Sequence, residues 1–485
     1  MADVTKTRAV VLGGSIAGLF AARVLADAYD EVLIVDRDAL IGVDGPRRSC
    51  PQGKHINGLL ARGQLAMEEM FPGITEEIFA DGVPTGDLAG DVRWYFKGKP
   101  IKQQDAGLTC VAASRPMLEK HIRRRTQALA NVTFVEKHDI LGLVTSEDKR
   151  RVTGVKVQRL GSKTTEGGRA GLKNTEKVLN ADLVVDATGR GSRTPIWLEE
   201  LGYGRVEEER KKIGLGYVTQ HYRLTEDVYH GDLSINPVAS AALPRGAIFT
   251  KTDGGRVELT TYGLLGDHPP TDQEGLFEWL KTLSTQDIYH AVKTAEILDE
   301  PVAFRFPTTL RRRYEKMDRF PDGLLVVGDA VTCFNPVYAQ GMTVSALSAL
   351  TIRGHLHSGA TPDPKMYFAD LARDVIDPPW EMTNTVDLSF PGVEGNRTFA
   401  LKVQQFFLSL TQTAASRDGD VAAAYMKTAG MVAKPETLMQ PKILFKIIKA
   451  VLFGKKNQAV PRSAAAPKVT ALPSAGTTTE EKKAA

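Results

Sequence analysis

The stretch VVLGGSIAGL, residues 10–19, decides how the fold is read. An apolar run, two glycines and a second apolar run spell a buried strand, a tight turn and a helix. The dinucleotide fingerprint G-x-G-x-x-G uses its first glycine for the turn. The second lets the backbone approach a pyrophosphate, and the third lets the helix pack on its strand. Gly13 and Gly18 hold the first and third places, and Ser15 stands in the second. Serine is the least costly substitute there, because its side chain is short and its hydroxyl can donate to a phosphate oxygen.

Working outward, RAVVL (8–12) predicts the strand, IAGLFAARVLADA (16–28) the helix, and EVLIVDR (31–37) a second strand. This is a βαβ unit of about 30 residues. Asp36 ends the second strand, 18 residues past Gly18, where a carboxylate can hold ribose hydroxyls. Far downstream, GLLVVGDAVTCFNPVYAQGM (323–342) predicts another buried strand ending at Gly328-Asp329, a loop with Pro336, and a helix opening at Gly341. A nicotinamide site has no use for this second acid and helix terminus, whereas a flavin dinucleotide long enough to reach it does. A third strand and turn, ADLVVDATGRGSR (181–193), belongs at the same carboxyl edge of the sheet.

The rest of the chain divides around these motifs. Residues 39–64 form a Gly/Pro/Arg-rich loop leading into a helix, and Ser114 caps a helix over 115–130. The polar, glycine-rich run 161–177 reads as an exposed hairpin excursion. β-formers over 213–223, 246–251 and 256–263 predict a separate antiparallel sheet. The expected fold class is α/β, a Rossmann-like FAD-binding domain with an inserted antiparallel-sheet substrate domain and a helical C-terminal region. The FAD-binding domain takes 1–80, 110–200 and 300–365, and the sheet domain takes 81–109 and 201–299. The helical region takes 366–456, and 457–485 is a disordered tail.

Of 485 residues, 62 are basic and 58 acidic, a net charge of +4. That is too little for nucleic-acid binding, and no basic stripe with interleaved aromatics is present. Three scattered cysteines, Cys50, Cys110 and Cys333, exclude a disulfide framework and a C-x-x-C zinc site. No apolar run reaches about 18 residues and no signal peptide is read, so a cytoplasmic location is expected, with no metal.

With PQGKHINGLLARGQ (51–64), SRPMLEKHIRRR (114–125), DATGRGS (186–192), RRRYE (311–315) and FNPVYAQGM (334–342) added, the chain resembles the flavin-dependent monooxygenases of the para-hydroxybenzoate hydroxylase fold. Within them it is most similar to the epoxidases of polyether polyketide assembly (the lasalocid type), and more distantly to squalene epoxidases. The resemblance covers roughly residues 8–400 and implies a GR2-type FAD-binding domain. It implies that Gly13, Gly14, Ser15, Ile16, Ala17 and Gly18 cradle the pyrophosphate, with Asp36 on the adenosine ribose and Arg37 beside it. Arg47 and Arg115 contact FAD, Asp329 binds the ribityl chain, and Pro336, Gly341 and Met342 lie along the isoalloxazine.

Departures from the family pattern are specific. Thr188 stands where many relatives carry an aspartate that serves both FAD and NAD(P)H. The resemblance implies NADPH or NADH as electron donor, acting directly or, with that aspartate absent, through a separate flavin reductase. Asn57 replaces the second histidine of an H-x-H, and Ala339 replaces a glycine. The W-x-W-x-I-P signature of flavin halogenases is missing.

The implied activity belongs to secondary metabolism: epoxidation of an alkene in a lipophilic polyketide or terpenoid by O2 through a flavin C4a-hydroperoxide. The cofactor carries this chemistry and no protein nucleophile is required. Alternatives are an aromatic polyketide hydroxylase, a double-bond reductase of the geranylgeranyl reductase kind, and an FAD-less lipid-binding protein on the same fold. Hydroxylation of a phenol needs a base, for which His55, His221 and Tyr338 are weak candidates. The segment 441–456 is apolar with Lys442, Lys446 and Lys449 on one helical side. It reads as a helix packed on the protein, with peripheral membrane contact as the alternative.

Overall fold

The computed structural model describes residues 6–161, 176–356 and 361–454. The excursion expected over 161–177 lies almost wholly outside these residues, and the tail expected over 457–485 lies entirely outside them.

A five-stranded parallel sheet forms the base. Its strands are β1 (Arg8–Leu12), β2 (Glu31–Val35), β3 (Val132–Val135), β4 (Leu183–Asp186) and β5 (Leu324–Val326), in the order β3-β2-β1-β4-β5. The central strands are runs of Val, Ile and Leu because both faces are covered, and Val10, Val11 and Leu12 are wholly buried. The flanking helices are α1 (Ile16–Leu25), α2 (Ala61–Met70), α3 (Arg115–Gln127) and α4 (Gly341–His355), and α4 packs on both α1 and α2. Ser114 caps α3 by accepting from the Met117 N–H at 3.4 Å, as its sequence position implies.

The second layer is a nine-stranded, largely antiparallel sheet, with His138–Thr145, Val152–Arg159 and Glu176–Asn180 forming a separate small one. The large sheet runs from Thr332–Cys333 through Val302–Arg312, Glu208–Arg223, Val257–Gly263, Arg245–Lys251, Ser234–Pro237 and Val92–Phe96 to Lys99–Pro100, with Glu296–Ile297 pairing on Glu208–Arg223. One face is covered by helices Gln273–Lys281 and Asp287–Lys293, around a core that includes Tyr222, Phe249, Leu259 and Ile288. On the opposite side Tyr217, Tyr262, Ile248, Phe304 and Phe306 cluster with Val337 of the 334–342 loop.

This sheet corrects two boundaries. Residues 302–312, expected with the FAD-binding domain, form the strand that pairs with Glu208–Arg223. The chain therefore returns to the parallel sheet only at β5. The strand expected over 213–223 starts five residues earlier, at Glu208. Its first residues carry no apolar alternation. They are held instead by ion pairs, Glu208 to Arg312 at 3.1 Å and Glu209 to Arg313 at 2.5 Å.

The C-terminal region is helical, with α5 (Asp377–Asp387), α6 (Phe399–Ala415), α7 (Gly419–Ala429) and α8 (Pro441–Phe453). One side of α8 packs through Ile447 and Ala450 into a cluster shared with α6 and α7. Phe445, Ile448, Leu452 and Phe453 are exposed. No helix among the described residues is long and apolar enough to cross a membrane.

Candidate cofactor site

The three motifs meet at the carboxyl edge of the parallel sheet. Gly13 follows β1 with φ +101°, and its N–H donates to the Val35 carbonyl at 2.8 Å. A Cβ at Gly13 would sit 2.6 Å from the Ala187 carbonyl oxygen, so the turn packs directly on the chain after β4. A Cβ at Gly18 would land on the Gly13 carbonyl. Gly328, at φ +60°, abuts α1 in the same way, since a Cβ there would lie 2.8 Å from that of Ala17. Gly13 and Gly328 are required by conformation as well as by close approach, and Gly18 by close approach of backbone alone.

Ser15 is the N-cap residue of α1 but makes no capping bond. The N–H groups of Ile16, Ala17 and Gly18 are thus left without a capping side chain, which is the donor set an anion needs. The serine hydroxyl donates instead to Glu119 Oε2 at 3.1 Å and accepts from Arg115 Nη2 at 2.9 Å. Asp36 Oδ2 accepts from the Gly14 N–H at 2.7 Å and Oδ1 from the Asp38 N–H at 2.8 Å. Burial pushes the Asp36 carboxyl above its usual value, against these bonds and Arg47.

Glu119, to which the sequence motifs assign no role, is the centre of the site's charge. It is 4% exposed and sits among Arg47 at 2.7 Å and Arg115 and Arg123 at 3.4 Å each. Burial opposes its charge, yet Arg115, Arg47 and Arg123 hold its carboxyl below the usual range. The signal was present in the sequence, because Arg115, Glu119 and Arg123 recur every four residues along one face of α3. Arg47 also lies 3.7 Å from Asp36.

Asp329 follows β5, and a Cβ at Gly341, the first residue of α4, would lie 3.6 Å from its Oδ1. Burial raises the Asp329 carboxyl, with Arg115 and Arg190 acting the other way. Met342 is buried in the first turn of α4, and Pro336 is exposed in the preceding loop. Arg37 stands apart: it is exposed and lies 3.5 Å from Asp139. Thr188 donates its N–H (2.8 Å) and hydroxyl (2.5 Å) to Asp186, which also accepts from Ser192 and Thr194. Thr188 therefore organises its own turn.

The candidate bases are engaged. His55 bonds to Thr219 Oγ1 at 2.9 Å, and its ring is edge-on to Tyr217 and Phe304. Burial lowers its pKa to about 4, so it is neutral at pH 7. Tyr338 donates to Asp387 Oδ1 at 2.9 Å, and burial raises the phenol well above its ordinary value. His221 pairs with Asp299 at 2.6 Å. Asp387, on α5, was not foreseen. It is fully buried and also accepts from Asn335 Nδ2 at 3.0 Å, so it ties down the 334–342 loop. Asn57, the departure from H-x-H, donates to the Gln52 carbonyl at 2.8 Å and accepts from Arg115 at 3.5 Å.

These residues fit a dinucleotide diphosphate. The helix terminus is uncapped, the turn has no room for side chains, and two guanidiniums adjoin it. Arg47 and Arg115 both close onto Glu119, so a bound diphosphate would compete with that carboxylate for them. Among the described residues no cluster of three His, Cys, Asp or Glu side chains could hold a metal.

No family profile matches the chain. Protein Rv3254 of Mycobacterium tuberculosis (strain ATCC 25618 / H37Rv) is 33% identical over 403 residues, covering 79% of this chain and 81% of that protein. The chain belongs to the family of Rv3254. Among solved structures it is similar to pqsL, a probable FAD-dependent monooxygenase from Pseudomonas aeruginosa. The TM-score is 0.58 and the identity 15%, over 80% of this chain and 98% of that one. A flavoprotein/dehydrogenase from Cytophaga hutchinsonii matches with TM-score 0.59 at 13% identity, over 91% and 96% of the two chains. The flavin-dependent halogenase CmlS matches with TM-score 0.59 at 16% identity, over 88% and 77%. At these identities the likeness is one of fold, and the fold is that of FAD-dependent monooxygenases and halogenases. The α/β class expected for the Rv3254-like chain is the class it has.

Proposed function

We propose that this chain is an FAD-dependent monooxygenase that epoxidises an alkene of a lipophilic polyketide or terpenoid. The observation that carries the flavin reading is the convergence of three turns separated by some 300 residues of sequence. The Gly13–Gly18 turn, the Ala187–Gly189 turn and the Gly328-Asp329 turn touch one another, with Arg115 bonded to Ser15 at 2.9 Å and its charge acting on Asp329. In this reading the uncapped N–H groups of α1 hold the pyrophosphate, Asp36 the ribose, Arg47 and Arg115 the diphosphate, and Asp329 the ribityl chain. Pro336, Gly341 and Met342 flank the ring, and the N-terminus of α4 supplies positive potential to it.

Bound FAD, once reduced by a nicotinamide donor directly or through a partner reductase, supplies oxygen activation; the protein orients the substrate and excludes water. The apolar cluster of Tyr217, Tyr262, Ile248, Phe304, Phe306 and Val337, between sheet and loop, supports a lipophilic substrate. Epoxidation is favoured over phenol hydroxylation because it needs no base. His55 is too weakly basic for the task, and Tyr338 keeps its proton and donates it in a hydrogen bond to Asp387.

The test is anaerobic mixing of the purified yellow protein with NADPH and lipophilic polyenes, followed by labelled O2 and product mass. One labelled oxygen in an epoxide is expected. A colourless protein removes the flavin reading. A reduced double bond without label replaces the monooxygenase by a reductase, and a labelled phenol replaces the epoxidase by a hydroxylase. Flavin that NADPH cannot reduce assigns reduction to a separate reductase.

A further inference from the structure

We propose that α8 docks the protein on an anionic membrane surface, lying flat in the headgroup layer. Nine of the eighteen large hydrophobic residues that are exposed among the described residues fall between 399 and 453. Such a concentration marks an interaction surface. On α8, Phe445, Ile448 and Leu452 follow i, i+3, i+7 spacing, so they form one stripe, and Phe445 and Leu452 are 67% and 66% exposed. The opposite side of the helix is already used, with Ile447 and Ala450 in the core shared with α6 and α7. The stripe is therefore a second apolar face rather than the packing face.

Charge selects the occupant. The segment Pro441–Phe453 contains three lysines and no carboxylate. Lys442, Lys446 and Lys449 occupy one flank, beside the stripe. Lys446 bonds to Asp420, while Lys442 and Lys449 form no ion pair among the described residues. All three, with Arg417 and Asp418, line an open groove of about 640 Å3. An apolar stripe with a basic flank is the pattern that inserts hydrophobic side chains among acyl chains and places lysines at phosphate headgroups. A second copy of the chain meeting this face symmetrically would set lysines against lysines. The neighbouring α6 adds a further exposed stripe, Phe399, Val403 and Phe406. At 13 residues α8 is too short to span a bilayer.

The test is co-sedimentation of the full-length flavin-loaded protein with vesicles of phosphatidylcholine alone or with about a third phosphatidylglycerol. Binding to the anionic vesicles is expected at low salt, falling about tenfold in 0.5 M salt as screening shortens. Ile448→Asp with Leu452→Asp abolishes it, and Lys442→Glu with Lys449→Glu removes the preference for anionic lipid. Both leave flavin content and melting temperature unchanged. If the first variant misfolds, the second carries the test, because both its positions are exposed. Equal binding to the two vesicle types overturns the proposal, as does no binding to either. A wild-type dimer that the stripe variant turns into a monomer, with no vesicle binding, assigns the face to a second copy instead. None of these readouts uses turnover, so the docking surface and the epoxidase reading fail separately.

Discussion

Two buried carboxylates, one at the Ser15 turn and one at the 334–342 loop, behave in opposite ways. Glu119 sits among three guanidiniums that hold it charged, below its usual range. Asp387 sits between the neutral donors Asn335 and Tyr338, and burial pushes it up, with Lys211 giving only partial relief. The same functional group thus serves as a charge held by cations in one place and as an acceptor whose charge burial opposes in the other. What differs is the partner set, because burial acts on both in the same direction.

The sharpest way to break the comparison is to give both sites the same neutral isostere. Glu119→Gln leaves Arg47, Arg115 and Arg123 buried around a group with no charge. A loss of about 3–5 kcal/mol in unfolding free energy is expected. Denaturant titration of the flavin-loaded protein reads it, and a cost under about 1 kcal/mol would mean the arginines are solvated. Gly18→Ala comes next: its new Cβ collides with the Gly13 carbonyl, so copurified flavin falls at least tenfold while the chain still folds. Undiminished flavin content would show that the turn does not hold the cofactor.

The two acids also predict opposite pH limbs. The Glu119 pKa is lowered on folding. Its contribution is complete above the unfolded value of about 4.3 and is lost as pH falls through the folded value. The Asp387 pKa is raised. Its contribution is complete below about 3.9 and is lost as pH rises through its folded value. Stability measured against pH, wild type minus Glu119→Gln, should decline on the acid side. Wild type minus Asp387→Asn should decline as pH rises, and parallel curves would dismiss the contrast. At pH 7 the asparagine can still accept from Asn335 and Tyr338, so Asp387→Asn should change stability by about 1 kcal/mol or less. The smallest effect is expected from Arg37→Ala, within about 0.5 kcal/mol and with FAD affinity nearly unchanged, because Arg37 is exposed and faces Asp139. A tenfold weaker FAD complex would return Arg37 to the site.

Much of the Glu119 side of the site was legible beforehand. A strand–turn–helix, a strand-end acid and a four-residue spacing on one helix are local patterns, and local patterns survive in a sequence. The Asp387 side was not. Asn335 and Asp387 are 52 residues apart in sequence and meet only when α5 packs against the loop. The strand 302–312 was misassigned for a related reason: its pairing with 208–223 is held partly by cross-strand ion pairs, which leave no periodic signature.

By itself, then, the sequence determined the parallel sheet, its Gly13–Gly18 turn and the acids at its strand ends, because backbone geometry at a tight turn admits few residues. Only the tertiary structure decided what surrounds each acid. It gave the Ser15 hydroxyl, expected to face a phosphate, to Arg115 and Glu119, made Thr188 a brace for its own turn, and left one face of α8 in solvent. A side chain's charge state depends on the groups packed around it, and those come from distant parts of the chain.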